Sequence, residues 1–95
     1  MKLEQAHDGI HKYKAVFNDG TTRKFGAVGY GDYIHYYRES PEKAEMKKAA
    51  YIARHSVNEN FNSARTAGAL SRFLLWNKSS LPASLADYRR RFPGV

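Results

Sequence analysis

Thr66–Lys78 reads T-A-G-A-L-S-R-F-L-L-W-N-K, the most apolar run of the chain and the one that holds its single Trp. Thr66 is suited to cap a helix, because its hydroxyl can accept from a free backbone N–H in the first turn. Ala, Leu and Arg favour the helix that follows, and Gly68 weakens its first turn by about 1 kcal/mol. Leu70, Leu74 and Asn77 fall on one line, Ala69, Phe73 and Trp76 on the next, and Leu75 on another side. The spacing predicts a core helix over Thr66–Lys78, apolar around much of its circumference and so buried on more than one face. Burying Phe73, Leu74, Leu75 and Trp76 would contribute about 1.5–3 kcal/mol each.

Upstream, Tyr13, Ala15 and Phe17 alternate with Lys12, Lys14 and Val16, the period of a half-buried strand. Asn18-Asp19-Gly20 is a hairpin turn signal, because these residues tolerate positive φ. Thr21–Phe25 returns, and a β-hairpin is expected over about 11–26. Gly26, Gly29 and Gly31 then break the chain. They form neither a Walker motif nor G-x-G-x-x-G, and read as turns that aim Tyr30 and Tyr33. The aromatic run Tyr33–Tyr37 is expected to add a third short strand. Residues 1–9 carry little pattern and are expected to be flexible, with one domain over 10–95.

Ser40-Pro41-Glu42 is a helix start, with a capping hydroxyl, Pro at the first position and an early acid. That helix should run to about His55. Residues 56–65 are rich in Asn and Ser and read as an ordered loop pinned by Val57 and Phe61. Ser79 or Ser80 caps a last helix, on which Leu81, Leu85, Tyr88 and Phe92 form one stripe before Pro93-Gly94 stops it. The expectation is an α+β fold: an N-terminal antiparallel hairpin or three-stranded sheet packed against three helices. Its core is assigned to Phe17, Leu70, Phe73, Leu74, Trp76, Leu85 and Tyr88.

Sixteen Lys and Arg against nine Asp and Glu give a net charge of +7 on 95 residues. Such a balance favours polyanionic partners, nucleic acid or an acidic protein surface. The phosphate-contact candidates are Lys12, Lys14, Arg23 and Lys24 on the hairpin, Lys47, Lys48 and Arg54 on the long helix, and Arg89, Arg90 and Arg91 near the end. Tyr30, Tyr33, Tyr36 and Tyr37 are the candidates for stacking on bases. No base-reading motif is visible, so binding without sequence specificity is expected.

Enzymatic function is not expected. No G-x-S-x-G elbow is present, and the tripeptides that define GIY-YIG nucleases are missing. His7 and His11 are four apart, yet Asp8-Gly9 between them argues against a helix that would present both to a metal. The acid nearest His55 is Glu59. There is no Cys, hence no disulfide and no thiolate metal site. No cofactor is expected. The absence of an apolar signal region or a run of roughly 20 apolar residues predicts a protein that is not secreted and does not span a membrane.

Y-G-D-Y at 30–33, Y-I-A-R-H-x-x-N-E-N-F at 51–61, T-A-G-A-L-S-R-F-L-L-W-N-K-x-x-L at 66–81 and R-R-F at 90–92 resemble a family of small, basic, largely uncharacterised proteins encoded by large DNA viruses of algae and protists. The similarity covers roughly 12–92. It implies a viral context, in a virion or inside the host cell, and no established activity. A structural role in the particle, as a minor capsid or cement protein touching viral capsid proteins, is the alternative to nucleic-acid binding.

Overall fold

A computed structural model describes residues 1–95 and gives an α+β fold. A three-stranded antiparallel sheet comprises β1 (Lys2–Gln5), β2 (His11–Val16) and β3 (Thr22–Ala27), in that spatial order. Four α-helices follow: α1 (Tyr33–Glu39), α2 (Pro41–His55), α3 (Ala67–Leu70) and α4 (Leu81–Arg91), with a π-turn at Ser71–Leu75 joined directly to α3. No helix is long and apolar enough to cross a membrane.

The hairpin forms where the alternation places it. Tyr13 opposes Phe25 and Lys14 opposes Lys24, so aromatics share one face and lysines the other. At the turn, Gly20 takes φ +86, and the Asp19 carboxylate accepts from the Thr21 N–H and hydroxyl. The third strand comes from a different place than expected. Lys2–Gln5, expected to be flexible, pairs with β2 in the register Leu3 to Ala15, which sets Leu3 against the core. Tyr33–Tyr37, expected to be a strand, is helical instead. Asp32 caps that helix by accepting from the His35 N–H at 3.1 Å, and Tyr33 and Tyr37 pack their tilted rings 5.8 Å apart at an i, i+4 spacing. The local cap outweighs the β preference of the aromatics.

Ser40 ends α1 and caps α2, accepting from the Lys43 N–H at 3.3 Å, with Pro41 at the first helical position. Thr66 caps α3 and Ser80 caps α4 in the same way. The continuous helix expected over Thr66–Lys78 is a single α-turn followed by the wider turn. The Trp76 N–H reaches the Ser71 carbonyl, five residues back, at 3.0 Å. Such wide turns recur at functional sites.

The core consists of Ala15, Phe17 and Phe25 from the sheet side, Leu70, Phe73, Leu74 and Leu75 from α3 and the π-turn, and Tyr88 from α4. Burial pushes the Tyr88 hydroxyl up to about 12, and it donates to the Ala64 carbonyl at 2.7 Å, pinning the 56–66 segment onto α4. Of the residues assigned to the core, Phe17, Leu70, Phe73, Leu74 and Tyr88 are buried. Leu85 and Trp76 are half-buried against the core's edge.

Candidate nucleic-acid interface

Helix α2 has two working faces. Ala44 and Tyr51 are buried, while Lys47, Ala50, Tyr51, Arg54 and His55 recur at helical spacing along the side of a cleft of about 610 Å³. Opposite sequence regions complete its wall: His11 and Lys12 of β2, Lys24 to Ala27 of β3, Tyr30 to Asp32 of the glycine turn, Tyr36 of α1, Glu59, and Ser71, Leu75 and Trp76 of the π-turn. The volume lies within the roughly 300–1,000 Å³ of ligand clefts.

The cleft is built on rings. Trp76 and Tyr51 stack at 4.8 Å with planes 11° apart, and Tyr51 stacks on His55 at 4.3 Å. Tyr36 lies 6.2 Å from Trp76, and His35 meets Tyr36 edge-on at 5.2 Å. A run of five rings therefore crosses from α1 to the end of α2. Lys43 and Lys47 each place an ammonium 5.4 Å from the Tyr36 centroid, a favourable contact with the ring face. Tyr30 is 75% exposed at the rim. Burial, and then the charge of Glu59, pushes the Tyr51 hydroxyl well above its usual range, so it stays protonated.

Charge at the cleft is of two kinds. Lys12 pairs with Asp32 at 2.9 Å, and Lys24 with Asp8 at 3.4 Å. Lys47 and Arg54 are exposed and have no carboxylate partner, so their charges are free to meet an anion. His55 Nδ1 lies 3.2 Å from Glu59 Oε1, and His11 Nδ1 lies 2.8 Å from Asp8 Oδ2. Glu59 Oε2 is buried with no hydrogen-bond partner. It rests against Gly68, where a Cβ would come within 2.8 Å of the Glu59 carboxyl carbon. No group of three His, Asp or Glu side chains is placed to hold a metal.

Of the residues singled out in the sequence, Lys12, Lys24, Lys47, Arg54, Tyr30 and Tyr36 converge on this cleft. The rest do not. Lys14 pairs with Glu4 at 3.4 Å, and the Arg23 Nε–H donates to the Arg65 carbonyl at 3.3 Å. Lys48 donates to the Asn77 carbonyl at 3.1 Å; burial, reinforced by Arg72, lowers its pKa. Tyr33 is buried and donates to Glu45 at 2.7 Å, which pushes its hydroxyl up to about 12, so it is no stacking platform. Tyr37 packs on it. The arginine triplet, expected to form a basic surface, is tied into the fold. Arg89 donates to the Met1 carbonyl at 2.9 Å, while Arg90 and Arg91 both pair with Asp87, whose side chain is only 3% exposed.

Sequence reasoning leaves out His11, Asp32, Tyr51, His55, Glu59 and Ser71 as site residues. The signal for part of this is present, since Lys47, Tyr51 and Arg54 sit at i, i+4 and i+7. No protein family, curated protein or solved structure matches the chain.

Proposed function

We propose that this protein binds single-stranded nucleic acid in the cleft, without sequence specificity. Bases lie against Tyr30, Tyr36 and Trp76, and backbone phosphates meet Lys47 and Arg54, with Lys24 at the rim. The observation that carries this reading is the pairing of two unneutralised cations on one face of α2 with a run of ring faces beside them. Stacking is worth about 1–3 kcal/mol per base and tolerates any sequence, because every base has a π-face. A viral setting is proposed on the sequence resemblance alone.

The test uses the only Trp as reporter. Titrating a short oligothymidylate should quench Trp76 fluorescence, with log affinity falling against log salt by about 0.7 per phosphate contacted. A duplex of equal length should bind more weakly, because its bases are already stacked. Absence of quenching and of binding at low salt would sink the reading. The second reading, a structural component of a virus particle, draws on Ile10 and Val28. They are neighbours through a backbone hydrogen bond, and both are more than half exposed. It predicts co-purification with nuclease-treated shells.

A further inference from the structure

Two histidines enter the cleft from elements far apart in sequence, His11 from the start of β2 and His55 from the end of α2. Each has Nδ1 engaged by a carboxylate, Asp8 at 2.8 Å and Glu59 at 3.2 Å, and each leaves Nε2 without a hydrogen bond in the chain. Both side chains are partly open to solvent, at 38% and 40%. A carboxylate on Nδ1 fixes the tautomer. A neutral ring then offers its Nε2 lone pair to take a proton, and a protonated ring offers Nε2–H to give one.

Cationic side chains line the same cleft. Arg54 adjoins His55 and has no acidic partner, and Lys12 and Lys24 share the wall with His11. Glu59 adds a second, independent oddity. Its Oε2 is buried without a hydrogen-bond partner, while its Oε1 lies 3.2 Å from His55 Nδ1. Through Oε1 the Glu59 carboxylate orients the His55 ring, and Glu59 is thus a positioning residue for it.

We propose that the cleft cleaves single-stranded RNA by transesterification, with His11 and His55 as the acid–base pair. One neutral imidazole takes the proton of a ribose 2′-hydroxyl. The 2′-oxygen attacks the adjacent phosphorus, forming the O2′–P bond. The P–O5′ bond breaks, and the other, protonated imidazole gives its proton to the leaving 5′-oxygen. The products are a 2′,3′-cyclic phosphate and a free 5′-hydroxyl. One proton is taken and one is given, so no further reactant is required. Arg54, which lines the same cleft, would hold the charge that develops on the phosphoryl oxygens. DNA, which lacks the 2′-hydroxyl, is bound and left whole. Such chemistry goes beyond the sequence-based expectation of a non-enzymatic protein, and it rests on the binding reading above.

The experiment incubates the full chain, in chelator, with an end-labelled single-stranded oligoribonucleotide, beside a DNA of the same sequence. Expected are RNA fragments ending in a cyclic phosphate and intact DNA. His11→Ala and His55→Ala, purified in parallel, should each lose about 10²–10⁴-fold in rate, a loss that exceeds any fall in their affinity for the DNA. Wild type should show a bell-shaped rate against pH, each single variant should lose one limb, and Glu59→Gln should displace a limb. Added imidazole should restore part of the rate to His55→Ala, which a merely structural histidine would not allow. RNA that stays whole while DNA still quenches Trp76 overturns this inference and leaves the binding reading standing. Cutting that survives when both histidines are replaced together overturns it as a contaminant. Failure of both oligonucleotides to bind removes both readings.

Discussion

Gly68 and Glu59 share one space: a Cβ on Gly68 would lie 2.8 Å from the Glu59 carboxyl carbon, so the glycine is what lets that carboxylate sit where it reaches His55. Propensity alone would favour Ala at this helical position by about 1 kcal/mol. The clash opposes that gain, since overpacking costs roughly 1–3 kcal/mol. Gly68→Ala should therefore lower the melting temperature instead of raising it, and should shift the His55 ring resonances in NMR. A raised melting temperature with unmoved resonances would show Glu59 free to step aside.

Arg91 and Arg90 compensate a carboxylate that is almost wholly buried. The hydrogen bond from the Arg91 guanidinium, more than any other contact, holds Asp87 down at about 2 against an ordinary 3.8. The folded-state value lies below the unfolded one, so the contribution is present above about pH 4 and disappears as pH falls toward 2. It amounts to about 2 kcal/mol. Arg91→Gln should destabilise by about 1–3 kcal/mol at neutral pH, the cost of a buried charge left short of a partner. Asp87→Asn should flatten the acid limb of the stability profile. Denaturant melts between pH 2 and 7 check both.

Lys47 and Arg54 are exposed and without a carboxylate, so replacing both by Gln should move the melting temperature little. The same pair of changes should cut the slope of log affinity against log salt by about 0.7 for each phosphate that is no longer neutralised. Arg23→Gln, away from the cleft, should alter the slope much less. Equal effects from both would place the binding surface elsewhere.

Trp76 divides packing from binding more finely. Trp76→Phe keeps a ring for Tyr51 to stack on and should cost less than about 1.5 kcal/mol. Trp76→Ala should cost less than the roughly 3–5 kcal/mol of a fully buried Trp, because the ring is only half-buried. Oligonucleotide affinity should fall by about 1–3 kcal/mol for the alanine, and partly survive in Trp76→Phe. Calorimetry on both variants separates the two effects.

Gly26 has φ +78, and a Cβ there would come within 2.8 Å of Leu75 Cδ1 and 3.2 Å of Lys12 Cβ. Gly26→Ala should destabilise by about 1–3 kcal/mol and also perturb the cleft wall, read as a loss of both melting temperature and Trp76 quenching.

Local signals carry much of this fold in the sequence. The capping hydroxyls of Ser40, Thr66 and Ser80, the turn at Asn18-Asp19-Gly20 and the stripe on α4 depend on residues close to one another, and each stands where the pattern puts it. What stays hidden depends on distant partners. Lys2–Gln5 becomes a strand only by pairing with β2, and Leu3 alone is a thin apolar signal. The run at Thr66–Lys78 cannot announce its widened turn, because a segment apolar on every side reads alike at 3.6 residues per turn and at a wider pitch. Tyr33–Tyr37 favours a strand by side-chain type, and one acceptor at Asp32 reverses that. The cleft is half legible. Its free cations stand out as charge, whereas His11, His55 and Glu59 gain meaning only when β2, α2 and the 56–66 segment meet.

The five-residue loop-back at Ser71–Leu75 makes chain length a control on the cleft. Removing one residue there would let ordinary helical winding resume through Leu75, keep both flanking caps, and rotate the indole away from Tyr51. A shortening of this kind would disarm the cleft by separating the indole from the ring it stacks on.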